Sequence, residues 1–169
     1  MSSTAAFDGD IDLLPGYAIR RLQQIAVGIF LQEMGELNVT PVQFGALQVV
    51  ARQPGIDQRT LAGRIALDTS TIGGVVDRLE GRGWLERRRS TEDRRARLLH
   101  LTPAGQQVLA QAVPGMLRTQ QRILAPLPPA QREQFMAMLH TLVTQNNEWS
   151  RAPSENSPAM AGRQGAPAA

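Results

Sequence analysis

Two clusters of side chains in the middle of the chain have the types and spacing to recognise a polyanion. The first is Thr69, Ser70 and Thr71, followed by Gly73, Gly74 and Arg78. Short hydroxyl side chains on successive residues can meet base edges or phosphate oxygens. The second is the run STEDRRARLLHLTPAG, Ser90 to Gly105, in which three arginines and two acids fall within residues 92–97. A guanidinium on a projecting turn suits a minor groove, where it reads groove width and negative potential. Arg94 and Arg95 occupy the tip of that turn. Asp93, two residues before Arg95, can hold its guanidinium by paired hydrogen bonds and aim it. The same residues also suit a solvated face, with Asp93 in a surface ion pair of under about 1 kcal/mol. The elements that carry them decide between the two.

Composition narrows the alternatives. At 169 residues the chain fits one domain, or one domain with tails. It has no cysteine, which removes disulfides, thiol nucleophiles and thiol redox sensing. His100 and His140 stand forty residues apart, a poor basis for a metal site. The longest strongly apolar run, IAVGIFL at 25–31, is too short to span a bilayer, and the acidic N-terminus is unlike a signal peptide. A cytoplasmic protein without a membrane partner is expected. No phosphate-cradling glycine loop, nucleophile–base pair or carboxylate pair has a recognisable spacing, so neither an enzyme nor a cofactor is expected. Residues 52–97 carry eleven arginines against seven acids, whereas residues 1–51 carry two against five. The basic excess lies mainly in the middle third, beside both clusters.

Periodicity and capping chemistry place the elements. Residues 16–37 show a broad helical apolar stripe through Ile19, Leu22, Ile25, Ile29, Phe30 and Met34. Thr40-Pro41, Asp57 and Asp68 each read as a helix start, with apolar pairs Val39/Phe44, Ile56/Leu61 and Leu67/Ile72 flanking the caps. The helices implied are 41–53, 57–65 and 68–82. Residues 84–89 and 96–101 read as two strands joined by the charged turn. Thr102-Pro103 starts a long helix to about residue 124, kinked near Pro114, and a last amphipathic helix runs over 129–148. Residues beyond are rich in Ala, Pro, Gly and Ser and bury little.

The stretch DQRTLAGRIALDTSTIGGVVDRLEGRG, 57–83, has the spacing of a helix–turn–helix. Burying Leu61, Ile65, Leu67, Ile72, Val75 and Leu79 leaves Thr69, Ser70, Thr71, Gly73, Gly74, Asp77 and Arg78 on or near the outer face of the second helix. The first turn of such a helix can enter a major groove, and its amides favour phosphate. A pair of helices used only for packing or for protein contact has the same apolar pattern. The hairpin directly after the second helix reads as a wing, and it favours double-stranded DNA as the partner.

At this point the chain resembles the MarR family of winged helix–turn–helix regulators. The motif D-x-R-x-x-x-L-x-L-T-x-x-G is matched by Asp93, Arg95, Leu99, Leu101, Thr102 and Gly105. With the flanking helices the likeness covers about residues 12–148. It implies a mainly α fold with a small β-hairpin wing. The divisions are a flexible lead-in at 1–14, a first dimerisation helix at 15–39, a winged helix–turn–helix domain at 40–101, dimerisation helices at 102–148 and a disordered tail at 149–169. It also implies a homodimer on a palindromic operator, mostly acting as a repressor that a small phenolic or aromatic acid releases. Carried over by position, Thr69, Ser70, Thr71 and Arg78 are recognition contacts, Arg95 is the minor-groove arginine and Asp93 its orienting partner. Gly73 and Gly74 depart from the polar or bulkier residues that many members carry there. Close backbone approach to DNA is the preferred account, and weak base reading the other.

The first helix, LPGYAIRRLQQ, is also similar to a branch of the family that answers to aromatic acids or their conjugates. The resemblance places a pocket among the first, second and fifth helices. Tyr17, Arg20, Arg21, Gln24, Phe44 and Gln48 are its candidate lining, with an arginine pairing a ligand carboxylate. Ion pairs from Arg20 and Arg21 to Glu33 or Glu36 across a dimer are an equal alternative, and Tyr17 also suits the dimer core. A ligand-independent regulator, an activator, or a winged helix used for protein assembly are the competing functions.

Overall fold

Chemistry at the helix starts sets the order of the fold. The computed structural model describes residues 10–90 and 97–154. Helix α1 spans Pro15–Met34, and one 3-10 turn, Gly35–Leu37, extends it. Helix α2 (Pro41–Arg52) opens on a reciprocal cap. The Gln43 amide donates to Thr40 Oγ1 at 3.3 Å, and the Thr40 amide donates to Gln43 Oε1 at 3.0 Å. Helices α3 (Gln58–Arg64) and α4 (Thr69–Gly81) open on Asp57 and Asp68, whose carboxylates accept from the Thr60 and Thr71 amides at 2.9 Å each. Helix α5 (Pro103–Leu124) opens on Thr102, which accepts from the Gly105 amide at 3.0 Å. Each cap satisfies a donor that helix geometry leaves unpaired and contributes about 1 kcal/mol. Helix α6 (Pro129–Gln145) follows.

Three strands form one antiparallel sheet: β1 (Ile56–Asp57), β2 (Leu85–Arg89) and β3 (Arg97–Leu101), in the order β1-β3-β2. Ile56 faces Leu99 across one pair, and Leu85 faces Leu101 across the other. The sequence predicts only the hairpin. The additional strand is the two residues that lead into α3, and Asp57 both pairs with Leu98 and caps the helix.

The core lies where α2, α3 and α4 meet this sheet. Leu47, Leu61, Ile72, Leu79, Leu85 and Leu99 are fully buried there. Val39, Phe44 and Ile56, the apolar neighbours of the caps, join them. Helix α1 reaches this core only through Phe30 and Met34 at its C-terminal end. It crosses α5 closely enough that a Cβ on Gly115 would stand 2.8 Å from the Glu33 carbonyl oxygen. Arg118 and Arg122 clasp the Glu33 carboxylate at 2.7 and 2.8 Å, and these hydrogen bonds hold its pKa below the usual carboxylate range.

The expected stripes on the outer helices are present but largely uncovered among the described residues. Ile19, Leu22 and Ile25 of α1 are exposed, and α6 has no buried residue, with Met138, Leu142 and Val143 open to solvent. Of the tail expected from residue 149, residues 149–154 are described and are held by side-chain and backbone bonds. Asn147–Trp149 forms a 3-10 turn, and the Asn147 side chain accepts from the Ser154 amide at 2.9 Å and donates to its carbonyl at 3.2 Å. Two backbone bonds to one amide side chain hold residues 150–154 in place. Of the lead-in, Ile11–Leu13 is a 3-10 turn capped by Asp10. Residues 1–9 and 155–169 lie outside the described residues.

Candidate nucleic-acid interface

Helix α4 buries Ile72, Val75, Val76 and Leu79. That face fixes the opposite one. Thr69, Ser70, Thr71, Asp77 and Arg78 are exposed, and Gly73 and Gly74 are half-buried between them. The first turn is organised by Asp68. Its carboxylate accepts from the Thr71 hydroxyl at 2.9 and 2.8 Å and from the Ser70 hydroxyl. The hydrogen bond from Ser70, then those from Thr71, pull Asp68 down to about 2, so it is ionised at neutral pH.

The two glycines are not demanded by the protein interior. A Cβ on Gly73 would meet only the Gln58 amide nitrogen, at 3.5 Å, and one on Gly74 only the Arg78 guanidinium, with Nη1 at 3.3 Å. The space over Gly74 is therefore where the Arg78 guanidinium lies, along the helix one turn back toward Ser70. Across the turn, Arg59, Asp68 and Thr69 share a hollow of about 240 Å³ with Arg151, Ala152 and Pro153. The segment after α6 thus returns to the edge of the helix–turn–helix.

Two arginines that the sequence pattern does not single out hold this surface together. Arg87 of β2 donates to Asp77 at 2.5 Å and also to the Glu80 carboxylate, while its own amide donates to Glu80 at 3.2 Å. Partial burial works against its charge, but the hydrogen bonds to Asp77 and Glu80 outweigh it and its pKa is raised. Strand alternation puts Arg87 on the same face as Leu85, and that inward position signals an arginine in need of partners. Arg82, the C-cap of α4, donates to the carbonyls of Asn38 and Leu37 at 2.7 and 3.1 Å. Its guanidinium sits 3.6 Å from the centroid of the Trp84 ring. No local spacing announces those partners, which lie more than forty residues away.

The wing strands are held as the sequence predicts, but the turn at its tip, with Asp93, Arg94 and Arg95, lies outside the described residues. At the base of the wing, the Thr102 hydroxyl donates to the Gly83 carbonyl at 2.6 Å. His100 lines a hollow of about 430 Å³ with Arg88 and Gln106, behind the sheet.

The residues expected to line a ligand pocket are not gathered within one chain. Tyr17 and Arg21 line a shallow hollow of about 430 Å³ with Asp12, Ala18, Leu22 and Ile25. A hydrogen bond with Arg21, helped by the charges of Arg21 and Arg20, lowers the Tyr17 pKa. Arg20 lies over the Tyr17 ring, 4.9 Å from its centroid. Gln24 stays on the exposed face of α1. Phe44 is buried, edge-on to Phe30 with centroids 6.1 Å apart, and Gln48 is half-buried on α2. Glu33, one alternative partner for Arg20 and Arg21, is held by Arg118 and Arg122 of its own chain.

The geometry has close counterparts among known proteins. The MarR family profile matches residues 39–96. A candidate transcriptional regulatory protein for the hcr operon of Thauera aromatica is 37% identical over 134 residues, spanning 79% of this chain and 81% of that protein. The crystal structure of the PcaV transcriptional regulator from Streptomyces coelicolor with its natural ligand superposes with a TM-score of 0.73 at 35% identity, covering 79% of this chain and 94% of that one. The transcriptional repressor CouR, bound to a 23-mer DNA duplex, gives a TM-score of 0.74 at 32% identity, with 80% and 96% coverage. CouR has also been solved bound to p-coumaroyl-CoA. The chain belongs to the MarR family of transcriptional regulators.

Proposed function

We propose that this protein is a homodimeric repressor that binds a palindromic operator and leaves it when a small aromatic acid, or a conjugate of one, binds. The observation that carries the reading is the first turn of α4. It presents Thr69, Ser70 and Thr71 outward, with the Arg78 guanidinium laid back toward them, at the positive end of a helix. Arg94 and Arg95 extend the contact into the minor groove, with Asp93 aiming Arg95, and close backbone approach uses Gly73 and Gly74.

The dimer rests on the uncovered faces of α1, α5 and α6. Ile19, Ile25, Leu117, Met138, Leu142 and Val143 are each about half exposed or more, and a lone soluble chain rarely leaves so much apolar surface open. The ligand reading rests on Tyr17 and Arg21, a phenol and a guanidinium in one hollow on α1. In a dimer the second chain supplies the missing wall, and an arginine there pairs a carboxylate. CouR bound to p-coumaroyl-CoA supports the effector class by likeness, and PcaV with its natural ligand supports a ligand-responsive regulator.

Fluorescence polarisation on the duplex upstream of its own gene tests this, with and without benzoates, hydroxycinnamates, their coenzyme A esters and nicotinates. Specific binding released by one of these classes is the expected result. Binding that none of them releases would remove the effector from the account.

A further inference from the structure

The hydroxyls of Ser70 and Thr71 differ from that of Thr69 in one respect. Both donate to Asp68. Thr69 has no side-chain hydrogen-bond partner among the described residues. A carboxylate is an acceptor only, so each hydroxyl bonded to it has spent its single proton and offers lone pairs alone. Phosphate oxygens accept and do not donate, and so do the major-groove faces of guanine and of the thymine carbonyl. The major-groove donors are the exocyclic amino groups of cytosine and adenine.

We propose that Ser70 and Thr71 read the operator as hydrogen-bond acceptors, facing the amino group of a cytosine or an adenine in each half-site, and that Asp68 is the positioning residue that fixes this polarity. The proposal rests on the DNA-binding reading above. Thr69, with its proton uncommitted, is the hydroxyl of this turn that can donate to phosphate. Arg78, all donor, takes the acceptors of guanine or the backbone. One turn of helix thereby offers both polarities side by side, which four donors could not.

The test starts from duplexes selected on the full-length protein from a random pool. At each adenine or cytosine in the half-site, the exocyclic amino group is deleted with deoxynebularine or deoxyzebularine, and affinity is measured by polarisation. Loss of one such bond weakens binding about three- to tenfold. The expected result is that loss at one or two positions, abolished in a Ser70→Ala, Thr71→Val double variant that keeps the Asp68 cap. Asp68→Asn supplies a readout that a purely structural cap would not move. Asparagine caps a helix as well as aspartate, but its amide can donate to a hydroxyl and free that proton. Selection on this variant is expected to shift the affected position toward guanine or thymine. Wild-type binding that is sequence-specific yet indifferent to every amino deletion would overturn the proposal alone. Failure to select any duplex would overturn the DNA reading beneath it as well.

Discussion

The Cβ that Gly105 lacks would stand 1.9 Å from the carbonyl oxygen of Trp84. Trp84 closes the turn after α4, and Gly105 lies in the first turn of the long helix that leads toward the outer helices. The same carbonyl accepts from the Thr102 amide at 3.1 Å. The Thr-x-x-Gly part of the motif is thus a clamp between the root of the wing and the start of α5. Gly105→Ala must push backbone against backbone, and overpacking of this kind costs about 1–3 kcal/mol. A lowered urea midpoint with an unchanged slope is the expected result. An unchanged midpoint would mean that the clamp is loose.

Gly73→Ala is expected to act in the opposite sense on stability. The added methyl meets only the end of the Gln58 side chain. Relief of helix-interior glycine stabilises by about 0.5–1 kcal/mol. If the backbone approaches DNA here, operator affinity falls while thermal stability rises. A variant that gains in both would place Gly73 away from the duplex.

Arg87→Lys is expected to weaken operator binding even though the charge is kept. Lysine cannot bond Asp77 and Glu80 together as the guanidinium fork does. The orientation of β2 against α4 is what changes, with a stability loss of about 1 kcal/mol. Hydroxyl-radical footprinting should retain the major-groove protections and lose those of the wing. An unaltered footprint would show that the wing is held by other means.

Asp68 predicts an acid limit on the stability of α4. Its carboxyl is lowered from 3.8 to about 2 by hydrogen bonds that exist only in the folded state. A depressed folded value contributes stability above the unfolded value and loses it as pH falls through the folded one. The stability difference between wild type and Asp68→Ala should be constant from neutral pH to about 4 and shrink on approach to about 2. A gap independent of pH across that range would contradict the hydrogen bonding described for Ser70 and Thr71.

What was legible in the sequence was local. Thr40, Asp57, Asp68 and Thr102 sit where an N-cap must be, and the amides they satisfy are each three residues away, so spacing alone finds them. The outward face of α4 follows from which of its residues are apolar. What was not legible depends on partners distant in the chain. β1 is two residues long and exists only because β3 lies beside it. Arg82 bonds to carbonyls, which any residue supplies. Asp68 is readable as a cap, but not as the acceptor that decides which way two neighbouring hydroxyls point. The apolar faces of α1 and α6 are readable as stripes, but among the described residues nothing covers much of them.

The central claim is that the first turn of α4 reads DNA sequence. The direct test is competition between a selected operator duplex and random duplex, for the wild type and for a Thr69→Ala, Ser70→Ala, Thr71→Ala variant. Alanine at these exposed positions keeps the helix and leaves Asp68 bonded to the backbone amide of Thr71. The wild type should prefer its operator by at least about a thousandfold. The variant should fall to its non-specific affinity for both duplexes, with an unchanged oligomeric state. A variant that still prefers the operator as strongly as the wild type would contradict the account.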